Sequence, residues 1–163
     1  MMKRAIVFLI GLAGLAFSVS ALGQTYDYVN LFNKRHTISI QISPAFFASG
    51  DRAIDAEICG RNDSFICVTS DAFNFAVPIA RKADVSKWEY KGYAYELKKQ
   101  ETLEAFGQAL NVWIIESNQG AKKLRYLYSK KRGVMAISIE IDGESQTFVS
   151  QKFAGFGNQI KGR

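Results

Sequence analysis

Four strand-like runs crowd the last third of this chain, and the connections between them are too short to permit more than one kind of fold. Val112–Ser117, Leu124–Tyr128, Val134–Ile141 and Gln146–Ser150 are rich in β-branched and aromatic residues. Between them stand only Asn118-Gln119-Gly120, Ser129-Lys130-Lys131-Arg132-Gly133 and Asp142-Gly143. Parallel strands need a crossover of about a dozen residues or more, so these runs must pair antiparallel with their neighbours. Asp142-Gly143 suits a tight hairpin turn in which both central residues take positive φ.

The same reading extends upstream. In His36–Ser43, Ile38, Ile40 and Ile42 point one way and polar groups the other, as in a half-buried strand. Phe73, Phe75 and Val77 alternate with Asn74 and Ala76 until Pro78 stops the ladder. Lys87–Lys91 keeps Trp88 and Tyr90 on one face, and the apolar phase then slips by one residue at Gly92 before Tyr93, Tyr95 and Leu97. A slip at a glycine predicts a β-bulge. Gln100–Leu110 places Leu103, Phe106 and Leu110 at helical spacing around Gly107 and fits a helix and a loop equally. Tyr26–Lys34 reads as a short helix with Val29, Phe32 and Tyr28 inward. The fold class predicted is mainly β: a single antiparallel meander of about eight or nine strands, closed as a barrel or folded as a sandwich, with little helix.

The chain opens with Met1-Met2-Lys3-Arg4, an apolar run from Ala5 to Val19, and Ser20-Ala21-Leu22-Gly23-Gln24. This is the layout of a secretory signal peptide, with cleavage expected after Gly23 and, as second choice, after Ala21. The apolar run is shorter than the ~20 residues of a membrane-spanning helix. Residues 1–23 are therefore read as a leader and 24–163 as one exported domain, periplasmic or secreted, without a transmembrane segment in its mature form. Losing Lys3 and Arg4 lowers the formal net charge from +6 to +4, too weak an excess to argue for nucleic acid. Strands of eight or nine short runs ending in a polar tail do not match the longer lipid-facing strands of an outer-membrane barrel.

Cys59 and Cys67 are the two cysteines. Ile54–Cys59 runs as a strand into Gly60-Arg61-Asn62-Asp63-Ser64 and returns through Phe65–Thr69, so a hairpin sets the two cysteines opposite each other. Their spacing fits no zinc or redox motif, which leaves a structural disulfide closing a short loop, contributing about 2–3 kcal/mol.

Catalytic, cofactor-binding and metal-binding signatures are lacking. His36, the single histidine, follows Lys34 and Arg35 at a strand entrance, and no nucleophile elbow accompanies it. Asp55 and Glu57 share a strand face, about 7 Å apart by the strand repeat, as ordinary outward charges do. Glu140, Asp142 and Glu144 flank a turn without the spaced ligands of a calcium loop. Trp88, Tyr90, Tyr93, Tyr95, Trp113, Tyr126 and Tyr128 fit either a packed core or the lining of a ligand cavity.

One surface stands out. Lys122, Lys123, Arg125, Lys130, Lys131 and Arg132 lie in an eleven-residue stretch with no acid, interleaved with Tyr126 and Tyr128. This predicts an interaction surface for a protein partner with an acidic face or for anionic envelope lipid. The functional expectation is an exported, non-enzymatic binding protein of the inhibitor, immunity or envelope-accessory type, acting through a protein–protein surface. The alternatives are a lipocalin-like carrier of a small apolar ligand and a hydrolase with an unfamiliar carboxylate site.

Overall fold

A computed structural model describes residues 23–59, 63–80, 85–105 and 107–158. Apart from Gly23, the expected leader lies outside the described residues. Among the described residues thirteen strands, β1 (Thr25–Asn30), β2 (Thr37–Ile42), β3 (Ala45–Ser49), β4 (Arg52–Asp55), β5 (Glu57–Ile58), β6 (Phe65–Thr69), β7 (Asn74–Pro78), β8 (Lys87–Tyr90), β9 (Tyr93–Ala105), β10 (Gln108–Gln119), β11 (Lys122–Ser129), β12 (Gly133–Ile141) and β13 (Glu144–Ser150), build two antiparallel sheets. The larger has ten strands in the order β4-β3-β2-β1-β13-β12-β11-β10-β9-β8, and the smaller has the order β5-β6-β7. β4 and β8 are its two edges, so the large sheet is not closed as a barrel, and the two sheets pack as a sandwich. No helix among the described residues is long and apolar enough to cross a membrane.

Two segments not expected to be strand join the sheet. Tyr26–Lys34 begins as β1, with Tyr26, Tyr28 and Asn30 inward while Phe32 stands in solvent. Gln100–Leu110 is neither helix nor loop. It belongs to a long hairpin in which Leu103 opposes Leu110 and Gly107, at φ 70°, serves the reversal. Tertiary pairing overrode the local helical spacing, because β10 already has β11 on its other side and β9 completes its ladder. Gly92 is likewise not a bulge. Lys91 and Gly92, at φ 47° and 79°, form a two-residue turn that pairs Tyr90 with Tyr93, and a turn reverses the chain where a bulge would only bend it. A bulge does occur later, where Ile114 pairs with Lys99 and Ile115 with Leu97, leaving Lys98 extra.

The Asp142-Gly143 turn has both residues at positive φ, 51° and 83°. The turn between β10 and β11 lies at Gly120-Ala121, with Asn118 and Gln119 still in β10. Cys59 and Cys67 are bonded across the β5–β6 pair, with Cα atoms 5.0 Å apart. The strand expected over Ile54–Cys59 breaks at Ala56, however: β4 pairs with β3 in the large sheet and β5 with β6 in the small one. The disulfide thus lies within the small sheet, just after the chain has crossed into it.

The small sheet packs on the inner face of the large one. Phe75 sits against Tyr126, Tyr128 and Phe156, and Phe73 against Phe47 and Tyr126. All five residues from Phe73 to Val77 are buried, polar Asn74 included. β7 is an edge strand, yet its backbone is paired by side chains. The Gln119 amide accepts from Asn74 N–H at 3.2 Å and donates to Asn74 C=O at 2.6 Å, as a neighbouring strand would. The Tyr126 hydroxyl donates to the same carbonyl, and the Trp88 indole N–H donates to Ala76 C=O at 3.0 Å. Buried backbone groups without partners are costly, and here the large sheet supplies the partners.

Candidate ligand cleft

Inward-facing rows of the large sheet change character from one end to the other. Tyr126 and Ile137, paired across β11 and β12, are fully buried, with Phe75 and Phe73 against Tyr126. Toward the β3–β4 and β12–β13 turns come Phe47 opposite Ile54 and Ile139 opposite Gln146, while Phe148 is paired with Ile137. At the rim the pairs are Ser49 with Arg52 and Ile141 with Glu144. β7 has five residues against nine in β12, so at ~3.3 Å per residue the small sheet cannot cover the whole face. The uncovered part is a cleft of about 710 Å³.

Its floor is apolar, formed by Phe47, Ile54, Ile139 and Phe148, and Phe47 stacks on Phe73 with centroids 4.8 Å apart. Arg52 and Lys122 set cations at the mouth, and Asp142 and Glu144 set acids there. Lys122 Nζ donates to the Ala72 carbonyl at 3.2 Å, tying β11 to the loop ahead of β7. Ile141, 41 % exposed, extends the apolar surface to the lip.

The aromatic set read from the sequence does not line this cleft. Tyr95, Trp113, Tyr126 and Tyr128 are buried in the core, with Trp88, Tyr90 and Tyr93 packed partly buried against it. Burial pushes the Tyr126 hydroxyl well above the usual phenol range and raises Tyr128 to about 12.

The basic stretch is not brought together as one surface. β11 separates Lys122 and Lys123, at its start, from Lys130 and Lys131, at the turn beyond its other end. Arg125 is held by Glu116 at 2.6 Å, and Lys123 lies 3.6 Å from the same carboxylate. Partial burial pushes Glu116 up, but the hydrogen bond and charge of Arg125, with Lys123 and Lys98, more than offset it and hold the carboxyl below its usual range. Tyr126 and Tyr128 point inward and offer no flat contact beside the charges, because alternation turns them away from Lys123 and Arg125. Arg132 is 2 % exposed, stacked against the Phe153 ring, with Nη1 donating to Phe153 C=O at 3.2 Å and Nη2 to Gln108 Oε1 at 3.0 Å. Lys131 also bonds Gln108, and Lys130 lies over Trp113.

Asp55 and Glu57 fall on different sheets, and Glu57 is ion-paired with Lys91. His36 is exposed at the entrance to β2. No cluster of three or more His, Cys, Asp or Glu suited to a metal is found among the described residues. Sequence reasoning did not single out Phe47, Ile54, Ile139 and Phe148. Their alternation marks them as inward, and nothing in a linear pattern tells which inward residues will line a cleft. Comparison with protein-family models, curated proteins and solved structures finds no match for this chain, so function is argued from the geometry.

Proposed function

We propose that this chain is a binding protein that holds a small amphipathic molecule in the end cleft, acting outside the cytoplasm as a periplasmic or secreted carrier. The observation that carries this reading is the cleft of about 710 Å³ whose lining includes Phe47, Ile54, Ile139 and Phe148, a size typical of small-molecule sites. An apolar body fits the floor, and a polar or charged head meets Arg52, Lys122, Asp142 and Glu144 at the mouth. The Cys59–Cys67 bond agrees with an oxidising compartment. The protein-docking alternative draws less support, since the basic stretch is divided between opposite ends of β11 and its tyrosines are buried.

The test is titration of delipidated protein with a fluorescent fatty-acid analogue, in parallel with native mass spectrometry of protein taken from its source. Saturable one-to-one probe binding is expected. Ile139→Arg, which sets a charge in the floor, and Ile141→Arg, which sets one at the exposed lip, should each weaken it at least about tenfold. Lys131→Glu, at the far end, should leave it unchanged. Probe binding that is absent, or indifferent to both arginine variants in protein of unchanged melting temperature, refutes the cleft reading.

A further inference from the structure

The loop joining β1 to β2, residues 31–36, is exposed throughout. Phe32 is 89 % exposed and Leu31 53 %, the two most exposed large apolar side chains described apart from Phe153, which equals Leu31 at the other end of the sheet. This tip is built to stay out in water. Buried Asn30 turns its side-chain oxygen back to accept from the backbone N–H of Phe32 and of Asn33, each at 2.9 Å. Asn33 accepts from Arg35 N–H through its side chain and from His36 N–H through its carbonyl. Asn30 N–H closes the loop onto His36 C=O at 3.0 Å, and Leu31 N–H is held by Thr147 C=O at 2.9 Å. So fixed a backbone keeps Phe32 from folding back onto the body of the protein.

Lys34 and Arg35 follow directly, and the stretch from Tyr28 to Gly50 contains no acid. Among the described residues neither cation is ion-paired. Two adjacent apolar side chains on a stiff tip, backed by two unpaired cations, match the order of layers in an anionic bilayer: acyl chains first, charged headgroups behind. Acids do stand on the neighbouring turns, Asp51 between β3 and β4, and Asp142 and Glu144 around the β12–β13 turn. They confine the contact to the tip rather than the whole end of the sheet.

We propose that this loop is a membrane-surface anchor, inserting Leu31 and Phe32 into a bilayer whose anionic headgroups pair with Lys34 and Arg35. The loop lies at the cleft end of the sheet: Asn30 pairs with Phe148 of the cleft floor, and Thr147, which holds Leu31, is the next residue. Anchoring therefore brings the cleft mouth to the lipid. The anchor does not depend on the cleft binding anything, so its test is separate.

Residues 24–163 contain every strand found among the described residues and both cysteines, so protein of that span is floated with vesicles of equal parts phosphatidylglycerol and phosphatidylcholine, and with phosphatidylcholine alone. Binding to the mixed vesicles is expected, weakened by salt. Phe32→Ser should weaken it about tenfold to a hundredfold. Lys34→Glu with Arg35→Glu should remove the preference for the anionic vesicles, at about fivefold or more per residue. Lys130→Glu with Lys131→Glu, at the opposite end, should change little. In a Phe32→Trp variant, brominated acyl chains should quench the added emission. The proposal is overturned if the protein does not float with the mixed vesicles, if Phe32→Ser floats as well as the parent, or if Leu31 and Phe32 prove to capture a protein partner with no vesicle binding.

Discussion

Removing the Gln119 side chain should damage this fold more than the loss of one surface-like amide suggests. Gln119 is 9 % exposed and Asn74 3 %, so water reaches neither group freely. Asn74 N–H is bonded to Gln119 Oε1, whereas Asn74 C=O has two donors, Gln119 Nε2 and the Tyr126 hydroxyl. Gln119→Ala therefore strands a buried N–H, at about 1–3 kcal/mol, and leaves a gap beside it, for a total of about 2–4 kcal/mol. Tyr126→Phe leaves the carbonyl its Gln119 donor and should cost about 1 kcal/mol. With both changes the carbonyl loses its second donor as well, so the double variant should exceed the sum of the singles by about 1 kcal/mol. Urea denaturation of all four proteins gives the cycle, and thermal melts should fall by about 3 °C per kcal/mol for a domain of this size. If Gln119→Ala costs under about 0.5 kcal/mol, or the two changes add within about 0.3 kcal/mol, the large sheet is not satisfying the edge of β7 through these side chains.

Two further outcomes follow from the geometry. Gly133, at φ 76°, has no room for a Cβ, which would lie 2.3 Å from Phe156 O and 2.4 Å from Gly155 O, while Gly50, at φ 62°, has open space around it. Gly133→Ala should then destabilise by about 3 kcal/mol or more in urea denaturation and Gly50→Ala by about 1 kcal/mol, and equal costs would mean that the 155–157 segment does not pack on the β11–β12 turn. Burial raises the hydroxyl pKa of Tyr28, Tyr95 and Tyr126, and that of Tyr128 to about 12. Because the folded values lie above the unfolded value of ~10, stability is full below about pH 10 and is lost as pH rises from there through the folded values. Phenolate absorbance of these four should appear together with loss of β circular dichroism, and gradual titration near pH 10 with the fold intact would contradict their burial.

Much of the architecture was legible because strand period and turn chemistry are local. Ile38 and Ile40 had to face inward once His36–Ser43 was read as a strand, and Asp142-Gly143 could hardly do other than reverse the chain. The Cys59–Cys67 bond followed from eight residues of separation across a hairpin. Where reading failed, the deciding contact was remote in sequence. Leu103 and Leu110 carry helical spacing, but their partners are each other across a hairpin whose outer neighbour, β11, lies beyond residue 121. Tyr126 and Tyr128 looked like companions of the basic residues because they are adjacent in the chain, while the sheet sends alternate residues to opposite faces.

What the residues alone determine, then, is the antiparallel β class, the disulfide, the hairpin turns and the face to which most side chains belong, since each follows from backbone sterics and a period of two. Closure and coverage were decided only in three dimensions. The large sheet stays open because the chain leaves it at Ala56 to start the small one. The cleft exists because five-residue β7 is shorter than the face it covers. Neither length carries that meaning until the two sheets are packed together, and it is the packing that leaves Ile54 and Ile139 only partly buried, beside the core residues Phe47 and Phe148, in the lining of a cleft.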